Sequence, residues 1–420
     1  MISIFEGFLS TPEGLDLFSE RKFVACMLRF QAALAQAQAS VGLIPDAAAQ
    51  SIVGTCKVEL FDVAKIVRES VRAGSIAVPL VKSLKETVAL FNQDAARFVQ
   101  YGATHHDVVD TALVLVTREA LGMIEHDVHQ SLAALLMLAE RHALTPTLAR
   151  SLMQPAAVTS FGLGCTAWSA PLVRSLQRLQ STAVNALCVR LGGSATALAQ
   201  LDGKSAQVLA HMAVSLGLRA PPPGWHNHRD EWLVLGCELA VLVGGLGKMA
   251  ADIAMMSQFE VAELAESEDT SAGLVLSGPA SSGQLFRKGN PVSCSVAMAA
   301  ARRTPQRIAT LLAAMTEERE PALGHWQAEL AEWPALLMSA HCASRAMARA
   351  LRGLQVDARR MRANIDAVRA EMPKEGAEEG FAPALLEQAG VLALAQVAFQ
   401  RNSLTTLDAA VLPMPAAAFA

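Results

Sequence analysis

Apolar residues return every three to four positions along most of the chain, the spacing of one helix face, and almost nowhere alternate as in a half-buried strand. Glu20 to Val41 reads as a helix closed by Gly42 and Pro45, and Leu84 to Tyr101 as another closed by Gly102. The helices then lengthen. Asp107 to Leu144 runs without proline and with only Gly122 as a weak point, and Arg229 to Glu266 is similar. Phe161 to Leu191 and Pro291 to Met315 each carry one internal proline, Pro171 and Pro305. At about 1.5 Å of rise per residue, the longest predicts a rod on the order of 50 Å.

Uncapped helices of this length suggest a coiled coil, a repeat array or a large bundle. Strict heptads are absent. ELAVLVGGLGKMAADIAMM, from Glu238 to Met256, is apolar on nearly every side and must be buried all round. That places it at the centre of a multi-helix bundle shared between subunits, so an obligate oligomer is expected. Past Met372 the polar, glycine-bearing PKEGAEEG marks a linker or turn. The pattern predicts an all-α chain with an N-terminal helical domain over 1–103, a central long-helix bundle over 104–344 and a small C-terminal helical domain over 345–420.

Composition agrees. The 420 residues are 52% hydrophobic but only 5% aromatic, which favours aliphatic helix packing over a β-sandwich. A net charge of −4 leaves no basic footprint for nucleic acid or an anionic membrane. The seven cysteines form no CxxC pair, as expected of reduced thiols in a cytoplasm. The start, MISIFEGFLSTPEG, lacks the basic region of a signal peptide, and the apolar run from Leu239 to Gly247 is too short to span a bilayer. A soluble, cytoplasmic protein is expected.

Three irregular segments interrupt the helices and carry the candidate chemistry. In the first, Gly102 to Thr111, Thr104 or Asp107 is placed to cap the following helix, whose free N–H groups suit an anion. The second, Thr145 to Gly162, reads as an inter-helix connection bearing Arg150 and Gln154. The third, GPASSGQLFRKGNP from Gly278 to Pro291, is dense in turn-forming residues and presents serines, a lysine and an asparagine. No phosphate-binding loop is present, and Gly192-Gly193 and Gly244-Gly245 follow or interrupt helices rather than strands, which excludes a dinucleotide site. His226 and His228, at i and i+2, share no helix face and have no third ligand in register. Neither a cofactor nor a metal is expected.

GATHHDVVDTALVL, beginning at Gly102, resembles the GATSQDVIDTALVL segment of the 3-carboxy-cis,cis-muconate cycloisomerases, within the fumarase, aspartase and adenylosuccinate lyase superfamily. FSERKFVACMLRFQAALAQAQASVGLIP and SIAVPLVKSL before it, and GWHNHRDEW, FEVAELAE and GLQVDARRMRAN after it, also correspond, so the resemblance spans roughly residues 3 to 364 in order. It implies a three-domain helical fold, a homotetramer around a twenty-helix core, and active sites each built from three subunits. The substrate it implies is a small polycarboxylate. GPASSGQLFRKGNP then aligns with the superfamily signature GSSxMPxKxNP. That alignment implies Ser282 as the proton-handling residue, with Ser281 beside it and Lys288, Asn290 and Thr104 holding a doubly charged aci-carboxylate. Such a charge needs preorganised donors in a water-poor site. Arg150, Gln154 and Arg229 are the further candidates for substrate carboxylates.

The chain departs from the pattern at several places. Gly283, Leu285-Phe286 and Gly289 alter the signature, and Leu152 stands where the lyases carry histidine and the muconate enzymes tryptophan. His105 and His106 replace a Ser-Gln pair and bring groups that titrate near neutrality, suited to contacting a carboxylate or shuttling a proton. The first reading is a cofactor-independent cycloisomerase. The alternatives are a C–N lyase or epimerase on a succinyl-type substrate, and a catalytically silent paralogue.

Overall fold

The computed structural model describes residues 4–192, 195–221, 228–267, 291–315, 324–371 and 380–410. An N-terminal group comprises α1 (Pro12–Leu17), α2 (Glu20–Ser40), α3 (Asp46–Thr55), α4 (Val63–Ala73) and α5 (Ala77–Phe91). Local chemistry sets several of the starts. Thr11, Ser19 and Asp62 each accept a backbone N–H three residues on, satisfying a donor that the first helical turn leaves free. Gly74 ends α4 at φ 71°, a left-handed conformation that costs glycine little. The single helix expected over Leu84 to Tyr101 is not formed. α5 begins earlier, at Ala77, and stops before Asn92, whose backbone is extended and whose Oδ1 accepts the N–H of Ala95. That local bond competes with helix continuation, and a 3₁₀ turn over Asp94–Phe98 follows.

Beyond it come α6 (His105–Arg141), a hairpin of β1 (Pro146–Ser151) and β2 (Gln154–Ser160), α7 (Phe161–Ala186), α8 (Ala195–Gln200), α9 (Ser205–Leu216) and α10 (Asp230–Met256). β3 (Leu264–Ala265), α11 (Val292–Ala314), α12 (His325–Arg352), β4 (Gln355–Val356), α13 (Ala358–Glu371) and α14 (Pro383–Ala410) complete the chain. α6, α7, α10, α11 and α12 form one antiparallel bundle, and the bonds at its ends fix their directions. At one end Asp110, near the start of α6, meets Trp326 at the start of α12 and Arg190 just beyond α7. At the other, the N–H of Phe161 bonds to Thr145, and β3, after α10, pairs antiparallel with β4, after α12. α6, α10 and α12 therefore run one way, and α7 and α11 the other. α12 passes unbroken through residue 344.

The bundle core holds Trp232 of α10 stacked on Trp333 of α12, with ring centroids 4.0 Å apart. Trp333 Nε1 donates to Thr117 Oγ1 of α6 at 2.8 Å, so the ring is satisfied as well as buried. Gly236 makes room for it: a Cβ there would lie 2.9 Å from Trp333 Cζ3. α10 is the one helix among the described residues long and apolar enough to cross a membrane, and it is a core helix of the bundle. Leu235, Leu239, Leu242, Leu246 and Ile253 are buried. Its outward stripe, Val234, Val241, Gly244, Lys248 and Met255, is exposed.

Three further expectations are corrected. The helix read over Arg229 to Glu266 ends at Met256, capped at Ser257, and the chain then turns through Ala262 (φ 51°) into β3. The helix read to Leu191 ends at Ala186. The connection from Thr145 to Gly162 is a β-hairpin whose two-residue tip, Leu152 and Met153, is left-handed at φ 50° and 67°.

Candidate active site

The first candidate segment folds as a helix start. Thr104 Oγ1 accepts the Asp107 N–H at 3.2 Å, and Asp107 Oδ2 accepts the Thr104 N–H at 2.8 Å, a reciprocal capping box. The Thr104 hydroxyl also lies 2.9 Å from Asp107 Oδ2 and donates its proton there. This places His105 and His106 in the first turn of α6, where the aligned peptide dipoles favour negative charge. Both imidazoles are held below their ordinary pKa. For His105 the causes are burial and then the nearby Lys85 charge. For His106 they are burial and then Arg190, opposed by Asp110 and Asp107. The His106 ring also packs edge-on against Trp326, with centroids 4.5 Å apart.

Beneath this turn lies a buried charged cluster. Asp110 accepts from Trp326 Nε1 at 2.8 Å and from Arg190 Nη1, with Arg229 Nη1 at 3.6 Å. Burial pushes the Asp110 carboxyl up, but the Arg190 and Arg229 charges and these hydrogen bonds outweigh it, so its pKa sits below the usual value. Arg190 Nε is 3.8 Å from Asp107 Oδ1, and the Arg190 backbone bonds to Thr111 Oγ1. Arg229 grips Glu329 with two guanidinium nitrogens. Arg229 was expected to meet a substrate carboxylate. In the structure it is only 7% exposed, and its charge faces Asp110 and Glu329 of its own chain.

Arg150 and Gln154 lie at the opposite end of the bundle, on the β1–β2 hairpin. A register shift between Ala149 and Arg150 bends β1, and Arg150 Nη2 lies 3.9 Å from Glu263 Oε1. Glu263 is fully buried. It faces Thr147 Oγ1 at 3.4 Å and accepts from Asn364 Nδ2 at 2.8 Å. FEVAELAE and GLQVDARRMRAN, far apart in sequence, are therefore packed on one another. Arg360 and Asn364 also donate to the carbonyls of Glu260 and Val261. Three residues past Glu263, the buried Glu266 accepts the backbone N–H groups of Ser293 and Cys294 at the start of α11.

The structure thus brings Thr104, His105, His106 and Arg229 to one end of the bundle and Arg150 and Gln154 to the other. The 37 residues of α6 separate the two groups by roughly 55 Å. Ser281, Ser282, Lys288 and Asn290 lie outside the described residues. The sequence reading missed Asp110, Arg190, Glu329, Glu263 and Glu266. One signal was available for each acidic pair. Asp107 and Asp110 fall at i, i+3 on the buried side of an otherwise apolar helix, and Glu263 and Glu266 repeat that spacing inside an apolar segment.

The comparisons agree with this architecture. A family model described as "Lyase" matches residues 10–304. The 3-carboxy-cis,cis-muconate cycloisomerase of Bradyrhizobium diazoefficiens is 37% identical over 348 residues, covering 83% of this chain and 76% of that protein. The solved 3-carboxy-cis,cis-muconate lactonizing enzyme from Pseudomonas putida superposes with a TM-score of 0.79 at 32% identity, covering 97% of this chain and 91% of its own. The beta-carboxy-cis,cis-muconate cycloisomerase from Acinetobacter calcoaceticus gives 0.80 at 28% identity, over 98% and 94% of the two chains. The chain therefore belongs to the lyase family, as a 3-carboxy-cis,cis-muconate cycloisomerase-like member of the fumarase, aspartase and adenylosuccinate lyase superfamily.

Proposed function

We propose that the protein is a cofactor-independent cycloisomerase that interconverts 3-carboxy-cis,cis-muconate and its carboxymuconolactone, working in the cytoplasm as a homotetramer with active sites shared between subunits. The observation that carries the activity is the likeness to named cycloisomerases along nearly the whole chain. The sequence also retains Ser282, Lys288 and Asn290 at the signature positions.

In the lactonising direction a substrate carboxylate oxygen closes on a carbon–carbon double bond. A C–O bond forms as the π bond breaks, and the electron pair moves to the carbon beside another carboxylate, giving an aci-carboxylate. Ser282 delivers the proton that completes the lactone and takes it back in reverse. Lys288 and Asn290 hold the doubly charged group, and losing one such preorganised donor typically costs on the order of 10²–10³ in rate. Arg150 and Gln154 take the remaining carboxylates. His105 and His106 enter the site from the first turn of α6, set in place by Thr104.

Shared sites are supported by the distribution of these residues. Two groups roughly 55 Å apart along α6 cannot enclose one small substrate within a single chain. A copy that brings its hairpin to the α6 start of another resolves this. The exposed stripe of Val234, Val241, Gly244, Lys248 and Met255 on α10 supports association in the same way, since burying its apolar residues stabilises a bundle of bundles.

An ultraviolet assay with 3-carboxy-cis,cis-muconate, run beside Ser282→Ala, tests the reading. Loss of the diene absorbance in the wild type and its abolition in the variant support it. No turnover by the wild type rejects it, and undiminished turnover by Ser282→Ala rejects the role of the serine.

A further inference from the structure

The ring of His105 is held from behind by a chain of two amides. Gln100, in the turn before α6, places Nε2 3.2 Å from the Ala103 carbonyl oxygen and 3.2 Å from His105 Nδ1. Its Oε1 accepts from Nε2 of Gln31, on α2, at 3.3 Å. Gln31 is buried at 1% exposure. Gln100 itself has φ 58°, a left-handed conformation that glycine would adopt with less strain.

These contacts constrain where His105 carries its proton. A backbone carbonyl only accepts, so the group of Gln100 facing Ala103 is its NH₂. Its oxygen then faces Gln31, which must present NH₂ in turn. Gln31 Oε1 is left without a hydrogen-bond partner, and flipping that amide would set two oxygens against each other. With an NH₂ group on its Nδ1 side, His105 can only accept there. The neutral ring therefore carries its proton on Nε2, which has no hydrogen-bond partner among the described residues.

We propose that Gln100, backed by Gln31, is a positioning residue that locks His105 as the neutral Nε2–H tautomer, so that His105 donates a hydrogen bond to a substrate carboxylate and does not act as a base. Protonating the ring would turn Nδ1–H against the Gln100 N–H groups. Burial and the Lys85 charge on α5 also disfavour the imidazolium. His105 and the neighbouring His106 thus part company: only His105 has both its donor face and its tautomer set by the turn that precedes α6. The carboxylate ligand rests on the function proposed above, whereas the tautomer does not.

The test is nitrogen-15 NMR of the full-length protein labelled at histidine, with the His105 signals identified by their loss in His105→Asn. Wild type is expected to show neutral Nε2–H across neutral pH, and addition of citrate as a tricarboxylate probe should shift that N–H. In Gln100→Glu the new carboxylate accepts from Nδ1–H, so the ring should switch tautomer or charge and its pKa should rise. If the tautomer switches, the Nε2–H donor is lost and KM for 3-carboxy-cis,cis-muconate should rise about tenfold, the loss expected for one hydrogen bond to a charged group, with kcat changing less; if the ring instead becomes charged, it keeps Nε2–H and KM should not rise. Nδ1–H in the wild type, or an identical His105 in Gln100→Glu, overturns the tautomer. A citrate-insensitive Nε2–H overturns the donor role. If the wild type turns over no muconate, the cycloisomerase reading fails while both NMR readouts still decide this proposal.

Discussion

Glu266 closes the start of α11 through its carboxylate, with Oε1 accepting the N–H of Cys294 at 2.9 Å and Oε2 that of Ser293 at 3.1 Å. Pro291, at the cap position of that helix, offers no side-chain hydrogen bond, so a residue distant in sequence satisfies the free donors instead. The two chain segments flanking residues 268–290 are thereby fixed to each other. Glu266→Ala should lower stability by about 1–3 kcal/mol, the range for losing a buried bond to a charged partner, and Glu266→Gln by less. The urea midpoint reads this directly, and an alanine variant with an unchanged midpoint sinks the argument.

Asp110 ties stability to acid. Its carboxyl is held below the ordinary carboxylate pKa of about 4. The stabilisation is therefore complete above that unfolded value and is lost as the pH falls through the lower folded one. Asp110→Asn removes this dependence and leaves two buried arginines undercompensated, at a cost of about 3–5 kcal/mol. Midpoints measured from pH 7 downward should converge for the two proteins in acid. Parallel curves would show that Asp110 is not the titrating group.

Two glycines on α10 should respond in opposite ways. At Gly236 a methyl meets the rigid Trp333 ring, itself pinned by Thr117 and Trp232, so Gly236→Ala should destabilise by about 1–3 kcal/mol. At Gly244 nothing lies within 4 Å of the added Cβ in the single chain. Gly244→Ala should therefore be tolerated there, and Gly244→Arg should break the assembly if that stripe is an intersubunit face. Light scattering distinguishes the cases: an unchanged mass for Gly244→Arg counts against burial of the stripe.

Both histidines at the start of α6 are depressed below their ordinary value of about 6.5. They stay neutral through neutral pH, so the acid limb of kcat/KM that they govern should fall below that value. His106→Ala, which also removes the Trp326 contact, should alter that limb and lower the rate. A pH–rate profile unchanged in both His105→Ala and His106→Ala would remove the pair from the chemistry.

The sequence by itself determined the fold class and the long rods of the bundle, because helix periodicity and capping are local properties. α6 starts where Thr104 and Asp107 can cap each other, and the apolar breadth of α10 announced its central place. Where the expected elements differ from those observed, the deciding contact was distant or the local signal was missing. The hairpin was hidden because Leu152 and Met153 occupy left-handed positions without the Asn-Gly pair that normally marks such a turn. α10 stops at Met256 because β3 pairs with β4, a strand that lies beyond two further helices. Arg229 was legible as a cation near a helix start. Its partners Asp110 and Glu329 were not, since only tertiary packing brings three elements to one buried point. The Gln31–Gln100–His105 chain is of the same kind. Burial lowers the local dielectric and forces each donor to find an acceptor, and which acceptor it finds is decided by the fold.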